Sequence, residues 1–146
     1  MPSAVMADAG TVLAFDFGTK RIGVAIGESM LGVAHPLTEI AGEESAPRFA
    51  AIAKLIEEWK PQRLVVGLPL SVEGAPHDMT RRAQRFAHQL EGRFRLPVTL
   101  VDERYTSVDA EAGMREAGAH KAIREKRMDA AAAQLILQQY FHEHAA

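Results

Sequence analysis

The sequence contains no cysteine, which excludes disulfide bonds, thiolate metal sites and a cysteine nucleophile. No apolar stretch approaches the ~20 residues that a membrane-spanning helix needs, so we expect no membrane association. Aromatic residues make up only 6% of the chain, and Trp59 and Tyr105 stand alone, so the sequence shows no platform for stacking bases. The net charge of −2 and the pI of about 6.3 argue against a uniformly basic nucleic-acid coat protein.

The N-terminal ten residues also lack a positive charge and a sustained apolar run, which excludes a secretory signal peptide. We predict a disordered leader over residues 1–10 and one domain over residues 11–146, a length that can bury a core without disulfides. The expected location is the cytoplasm.

Apolar periodicity and turn residues predict the element order βββ–α–β–α–β–α–α. Three strands joined by short turns come first, and Pro36 in the third predicts a sheet edge. The later strands alternate with helices, as parallel strands do. The predicted fold class is therefore α/β, with a five-stranded mixed sheet flanked by helices. The strands are predicted over 11–17, 21–27, 33–40, 63–68 and 97–101, the helices over 45–59, 80–94, 106–116 and 129–142, and a basic loop over 119–127.

Carboxylates stand at the ends of several of these elements. Asp16 lies at the end of a buried apolar strand, directly after Leu-Ala-Phe, where an acid is costly unless something positive meets it. Asp102 and Glu103 end the fifth strand, and alternation along a strand allows only one of them to share the face of Asp16. Asp129 opens the last helix on a stripe of small apolar residues. Taken singly, Asp102 is explained by pairing with an arginine and Asp129 by helix capping, but Asp16 favours a functional role.

Three carboxylates that converge at one sheet edge would repel one another unless cations lie between them. Mg²⁺ prefers carboxylate oxygens, waters and phosphate oxygens, and two such ions can promote the displacement of a phosphate ester. The absence of cysteine and of a His-x-x-x-His spacing argues against zinc.

The chain resembles the bacterial YqgF family over residues 11–142, nearly its whole length. Members are described as nucleases of pre-16S ribosomal RNA and, earlier, as Holliday junction resolvases, and they have the ribonuclease H-like fold. Four motifs in the family's order carry the resemblance: Asp-Phe-Gly-Thr-Lys-Arg-Ile-Gly-Val-Ala at 16–25, Val-Val-Gly-Leu-Pro at 65–69, Asp-Glu-Arg-Tyr-Thr-Ser at 102–107, and Arg-Met-Asp at 127–129 with the alanines and Ile-Leu-Gln that follow.

The resemblance implies that Asp16, Glu103 and Asp129 are catalytic acids that bind Mg²⁺ or Mn²⁺, and thereby selects Glu103 over Asp102. It implies a hydrolase that cleaves phosphodiester bonds to a 5′-phosphate and a 3′-hydroxyl. The substrate would be structured RNA, in 5′-end processing of pre-16S rRNA, or branched DNA. The residues expected to contact phosphates are Lys20, Arg21, Arg104, Lys121, Arg124, Lys126 and Arg127.

Two other interpretations of the sequence compete with the nuclease interpretation. The opening Asp-x-Gly-Thr and hairpin also begin the sugar-kinase, Hsp70 and actin ATPases, but those proteins need two such domains, and no second glycine-rich phosphate loop is present. A ribosome-assembly module that binds nucleic acid without cleaving it is the non-enzyme alternative. The helix face with Arg81, Arg82 and Arg85 is interpreted as solvated, with an extension of the phosphate track as the alternative. Both a monomer and a homodimer remain compatible with the sequence, the latter favouring a junction resolvase.

Overall fold

A computed structural model describes residues 10–70, 77–103 and 121–144, with side chains described from Ala130 onward in the last range. The predicted leader, apart from Gly10, and the predicted helix over 106–116 lie outside the described residues. In chain order the elements are β1 (Thr11–Asp16), β2 (Arg21–Glu28), β3 (Val33–Ala41), α1 (Ser45–Trp59), β4 (Arg63–Leu68), α2 (Asp78–Phe94), β5 (Val98–Asp102) and α3 (Lys121–Glu143).

The five strands form one mixed sheet in the order β3-β2-β1-β4-β5. Strand β2 pairs antiparallel with β1 and β3, whereas β4 pairs parallel with β1 and β5. Pro36 lies on β3, an outer strand of the sheet, where its missing N–H costs no ladder bond on the open side. The predicted fold class is confirmed, and β1, β4 and β5 have their carboxyl ends at the same edge.

Each face of the sheet is covered by helices because the strands are apolar on both sides. Leu13 and Phe15 share one face with Phe86, and helices α1 and α2 pack there. Val12 and Ala14 lie on the other face, in the cluster that includes Ile136 of α3. Alternation along β1 therefore directs successive residues into two separate cores.

Helix α3 begins eight residues earlier than the sequence predicted. The predicted basic loop over 119–127 is wrong from residue 121 onward, and Asp129 lies inside the helix and not at its start. Residues 121–129 are mostly good helix formers with neither glycine nor proline, so helix propensity outweighs the clustering of positive charge. Among the described residues, no helix is long and apolar enough to cross a membrane.

Candidate active site

Asp16 is the last residue of β1, at the shared carboxyl edge of the parallel strands. Its neighbours at alternate positions, Val12 and Ala14, belong to the core beneath α3. Alternation therefore places Asp16 on the α3 face of the sheet, and it is half-buried there.

Glu103 reaches the same place from β5. Its backbone N–H donates to the carbonyl of Leu68 at 3.1 Å, which continues the parallel ladder one residue beyond the strand. The Glu103 side chain is hydrogen-bonded to the side chain of Asp16. The two carboxyl groups therefore lie within hydrogen-bonding distance of each other.

The electrostatic surroundings shift the pKa of Glu103. Burial raises the pKa of Glu103, the hydrogen bond with Asp16 opposes this, and the nearby charge of Asp102 raises the pKa further. The net direction is upward. Two adjacent carboxyl groups that cannot both ionise cheaply are a donor set that a divalent cation would stabilise in the fully ionised form.

Gly67 provides the space for this arrangement. A Cβ atom at position 67 would lie 2.8 Å from Cδ and 2.9 Å from Cγ of Glu103, and would also collide with Cδ1 of Ile136. Any residue with a side chain at position 67 would therefore push the Glu103 carboxyl group away from its present position.

Helix α3 is oriented so that its first half lies toward the same edge. Ile136 occupies the space above Gly67 near the end of β4, whereas further along the helix the Gln138 amide donates to the carbonyl of Gly32 at 2.8 Å, beside the β2–β3 turn. The helix therefore runs away from the carboxyl edge. Asp129 precedes Ile136 by about two turns, so the backbone places it on the carboxyl-edge side; its side chain lies outside the described residues.

The turn after Asp16 is held in place by a buried arginine. Nη2 of Arg48 donates to the carbonyls of Gly18 and Thr19, each at 2.7 Å, and its Nε donates to the carbonyl of Gly42, also at 2.7 Å. Burial lowers the pKa of Arg48, although Glu43 acts in the opposite direction. Glycine is required at position 18 because a Cβ there would lie 2.5 Å from the carbonyl oxygen of Arg21.

The predicted phosphate-contacting residues fall into two groups. Lys20 and Arg21 are exposed. They lie at the end of the Arg48-bound turn that separates Asp16 from β2. Of the others, Arg104 lies outside the described residues. The backbone places the remaining four in the first turns of α3, with side chains outside the described set: Lys121, Arg124, Lys126 and Arg127.

The two described carboxylates fit a hard divalent cation. Among the described side chains, no group of three or more His, Cys, Asp or Glu residues could hold a metal. The chemistry of the pair itself is suitable, because both supply oxygen ligands and a divalent cation would offset the repulsion between them when both are ionised.

Comparison with known proteins identifies the family of the chain. The family model RuvX, described as Holliday junction resolvase, matches residues 10–143. The chain belongs to the RuvX family. A relative from Dechloromonas aromatica is 59% identical over 132 residues, 90% of each chain, and one from Nitrosomonas europaea is 54% identical over 147 residues, 100% of this chain and 99% of that one. Both carry the name "Putative pre-16S rRNA nuclease". The expected YqgF resemblance is thus confirmed.

Solved structures with this fold include two resolvases. Thermus thermophilus RuvC in complex with a Holliday junction is similar with a TM-score of 0.57 and 15% identity, covering 92% of this RuvX chain and 94% of RuvC. The fowlpox virus resolvase bound to junction DNA gives a TM-score of 0.59 and 10% identity, covering 93% and 99% of the two chains. At these identities the likeness shows the ribonuclease H-like fold.

Sequence reasoning missed two residues that shape the RuvX site. Gly67 was interpreted as part of a strand end and of a family motif, although a glycine inside an apolar strand is itself a sign that another group approaches closely. Arg48 was not singled out. Its position on the inner face of α1, among Phe49 and Ile52, would have been the available signal.

Proposed function

We propose that this protein is a metal-dependent endonuclease that hydrolyses phosphodiester bonds during 5′-end processing of pre-16S rRNA. The observation that carries the proposal is the hydrogen-bonded pair of Asp16 and Glu103 at the carboxyl edge of the sheet. In open α/β sheets, this edge is where binding sites form. The names of the relatives supply the substrate class.

Asp16 and Glu103 would hold Mg²⁺ or Mn²⁺, with Asp129 as the proposed third ligand. Support for Asp129 comes from the direction of α3, whose first half lies at the carboxyl-edge side. A divalent cation bound there would neutralise charge on the scissile phosphate and lower the pKa of an attacking water. Hydrolysis would leave a 5′-phosphate and a 3′-hydroxyl.

Cationic residues of the chain would bind the phosphates of the substrate. Lys20 and Arg21 are exposed at the end of the turn that follows Asp16 and would contact phosphates without reading sequence. We assign the same role to Arg104 and to Lys121, Arg124, Lys126 and Arg127. We further propose that residues 11–146 form one nuclease domain acting in the cytoplasm.

A nuclease assay tests the proposal. The purified protein would be incubated with Mg²⁺ or Mn²⁺ and either a structured RNA that spans the 5′ end of 16S rRNA or a four-way DNA junction. Asp16→Asn is the matched control, because it keeps the side-chain shape and removes the charge. We expect the wild type to cleave the RNA and the variant to bind it without cleavage. If the wild type cleaves neither substrate while Asp16→Asn binds both as well as the wild type, the protein is a binding module and not an enzyme.

Cleavage of the four-way junction is the second candidate function, favoured by the description of the RuvX family. A resolvase must cut two strands at one junction, so it would act as a homodimer. Sedimentation of the protein with and without junction DNA distinguishes the two. A monomer that cleaves RNA supports rRNA processing, and a dimer that cuts paired junction strands supports resolution.

A further inference from the structure

A cavity lined by arginines lies on the opposite face of the sheet from the carboxylate pair. A cavity of about 500 Å³ opens between the starts of α1 and α2 and the turn that follows β1. Its wall includes the turn residues Phe17 and Thr19, the buried Arg48, and the exposed Arg81 and Arg85 of α2.

The separation of the two sites follows from β1. Asp16 shares its face with Ala14, beneath α3. Phe17 packs on the other core, with its ring centroid 5.0 Å from that of Phe86. The carboxylate of Asp16 and the cavity therefore lie on opposite faces of the sheet. The short turn over residues 17–20, at the edge of the sheet, joins the two faces.

The cavity carries an excess of positive charge. Among the described residues its lining contains four arginines and two carboxylates, Glu43 and Asp78. Asp78 is already paired with Arg82 at 3.0 Å. Arg48 already donates hydrogen bonds to the backbone carbonyls of Gly18, Thr19 and Gly42.

Arg81 and Arg85 are not explained by local stability. They stand four residues apart on α2, and like charges at this spacing destabilise a helix. Within the described part of the chain, neither lies within ion-pair distance of a carboxylate. Two exposed guanidinium groups at a concave surface are suited to bind phosphate oxygens, because each presents a fork of donors.

We propose that this cavity binds the phosphate backbone of the substrate nucleic acid beyond the scissile phosphate. The strand would pass over the turn at residues 17–20, with Lys20 at the edge and Arg81 and Arg85 on the far side. Such contacts recognise phosphate and not base, so they add affinity and orientation without sequence preference. The inference rests on the proposed nuclease function, because it assigns the path of that enzyme's substrate.

Binding experiments test the path separately from cleavage. Affinity for a fluorescein-labelled RNA hairpin would be measured by anisotropy over a series of salt concentrations, in an Asp16→Asn background that prevents turnover. The double variant Arg81→Ala/Arg85→Ala should bind more weakly, with the slope of log affinity against log salt reduced by roughly 1.4–1.8, about 0.7–0.9 for each lost phosphate contact. Lys54→Ala is the matched control, since Lys54 is exposed on α1 outside the cavity and its loss should leave the slope unchanged.

Kinetics with Asp16 intact provide a second readout. The double variant should show a raised KM and an unchanged kcat, because the two arginines lie on the other face of the sheet from the acids. Its Tm should equal or exceed that of the wild type, because a like-charge pair is removed.

An unchanged salt slope and KM would overturn the proposal even if the protein cleaves RNA. A wild type that binds no nucleic acid would overturn both the path and the nuclease. A small-anion site is a further outcome that would overturn it: inorganic pyrophosphate would raise the Tm of the wild type but not of the double variant, while RNA affinity stayed equal in the two.

Discussion

Gly67 of β4 leaves open the space that the Glu103 side chain of β5 occupies. A Cβ atom at position 67 would lie 2.8 Å from the carboxyl carbon of Glu103. The ladder between β4 and β5 brings the two residues together, since the Glu103 N–H donates to Leu68. The carboxyl group that hydrogen-bonds Asp16 thus depends on a missing side chain in the neighbouring strand.

Gly67→Ala should therefore displace the Glu103 carboxyl group and reduce nuclease activity by about 100-fold, the effect of a misplacement of ~1 Å at a reacting centre. It should also lower stability by about 1–3 kcal/mol, because Ile136 must move. Steady-state cleavage and urea unfolding measure the two effects.

The control for this change is Gly92→Ala in α2, where an added Cβ meets no atom within 4 Å. Alanine should stabilise that helix by about 0.5–1 kcal/mol and leave cleavage unaltered. Full activity in Gly67→Ala would show that Glu103 does not need its present position.

The extent to which the sequence predicted the structure differs between local and non-local features. The bounds of α1 and β4 follow from apolar periodicity and from Pro61, so they were predicted as observed. The start of α3 was wrong because a cluster of positive charge was weighed above helix propensity. The contact between Glu103 and Asp16 depends on strand order, which no local pattern encodes. Only the family resemblance distinguished Glu103 from Asp102.

Glu103→Gln should stabilise the metal-free protein at neutral pH. Folding raises the pKa of Glu103 through burial, so between the ordinary and the raised pKa the folded state binds more protons than the unfolded state. The free energy of unfolding attributable to this group therefore falls as pH rises from the ordinary carboxyl pKa through the raised one. Glutamine cannot ionise and should remove that part of the slope.

The measurement is urea unfolding in EDTA from about pH 4 to about pH 8. This interval covers roughly the range over which perturbed carboxyl groups titrate in proteins. Glu58→Gln, at an exposed position of α1, should leave the pH dependence as in the wild type. Equal slopes in wild type and Glu103→Gln would contradict the pKa direction assigned to this carboxyl group.

Metal binding should release a proton and strengthen as pH rises. A carboxyl ligand must be ionised, whereas burial raises the pKa of Glu103 in the metal-free protein. Apparent Mg²⁺ affinity should therefore increase over the interval between the ordinary and the raised pKa of Glu103. Calorimetry in two buffers with different ionisation enthalpies would detect the released proton.

Saturating Mg²⁺ should also raise the free energy of unfolding, by about 2.7 kcal/mol at 100 times Kd. Asp16→Asn should lose this stabilisation, whereas Glu58→Gln should retain it. Stabilisation of Asp16→Asn by Mg²⁺ equal to that of the wild type would place the cation elsewhere.

Arg48→Met should loosen the turn that connects the two faces of the sheet. The change leaves the carbonyls of Gly18, Thr19 and Gly42 without their side-chain donor. We expect a loss of about 3–5 kcal/mol in the free energy of unfolding, as when a buried hydrogen-bonded charge network is broken. Arg48→Lys should recover little of it, because an ammonium lacks the planar fork that reaches carbonyls in different directions.

The functional effect of Arg48→Met separates positioning from simple loss of charge. With the turn released, Lys20 no longer has a fixed place beside Asp16, so RNA affinity should fall by more than it does in Lys54→Met, which removes one exposed charge from the same helix. Anisotropy at low temperature, where both variants are folded by circular dichroism, gives the comparison. Equal affinities in the two variants would mean that the turn holds its shape without Arg48, and that the three hydrogen bonds serve stability alone.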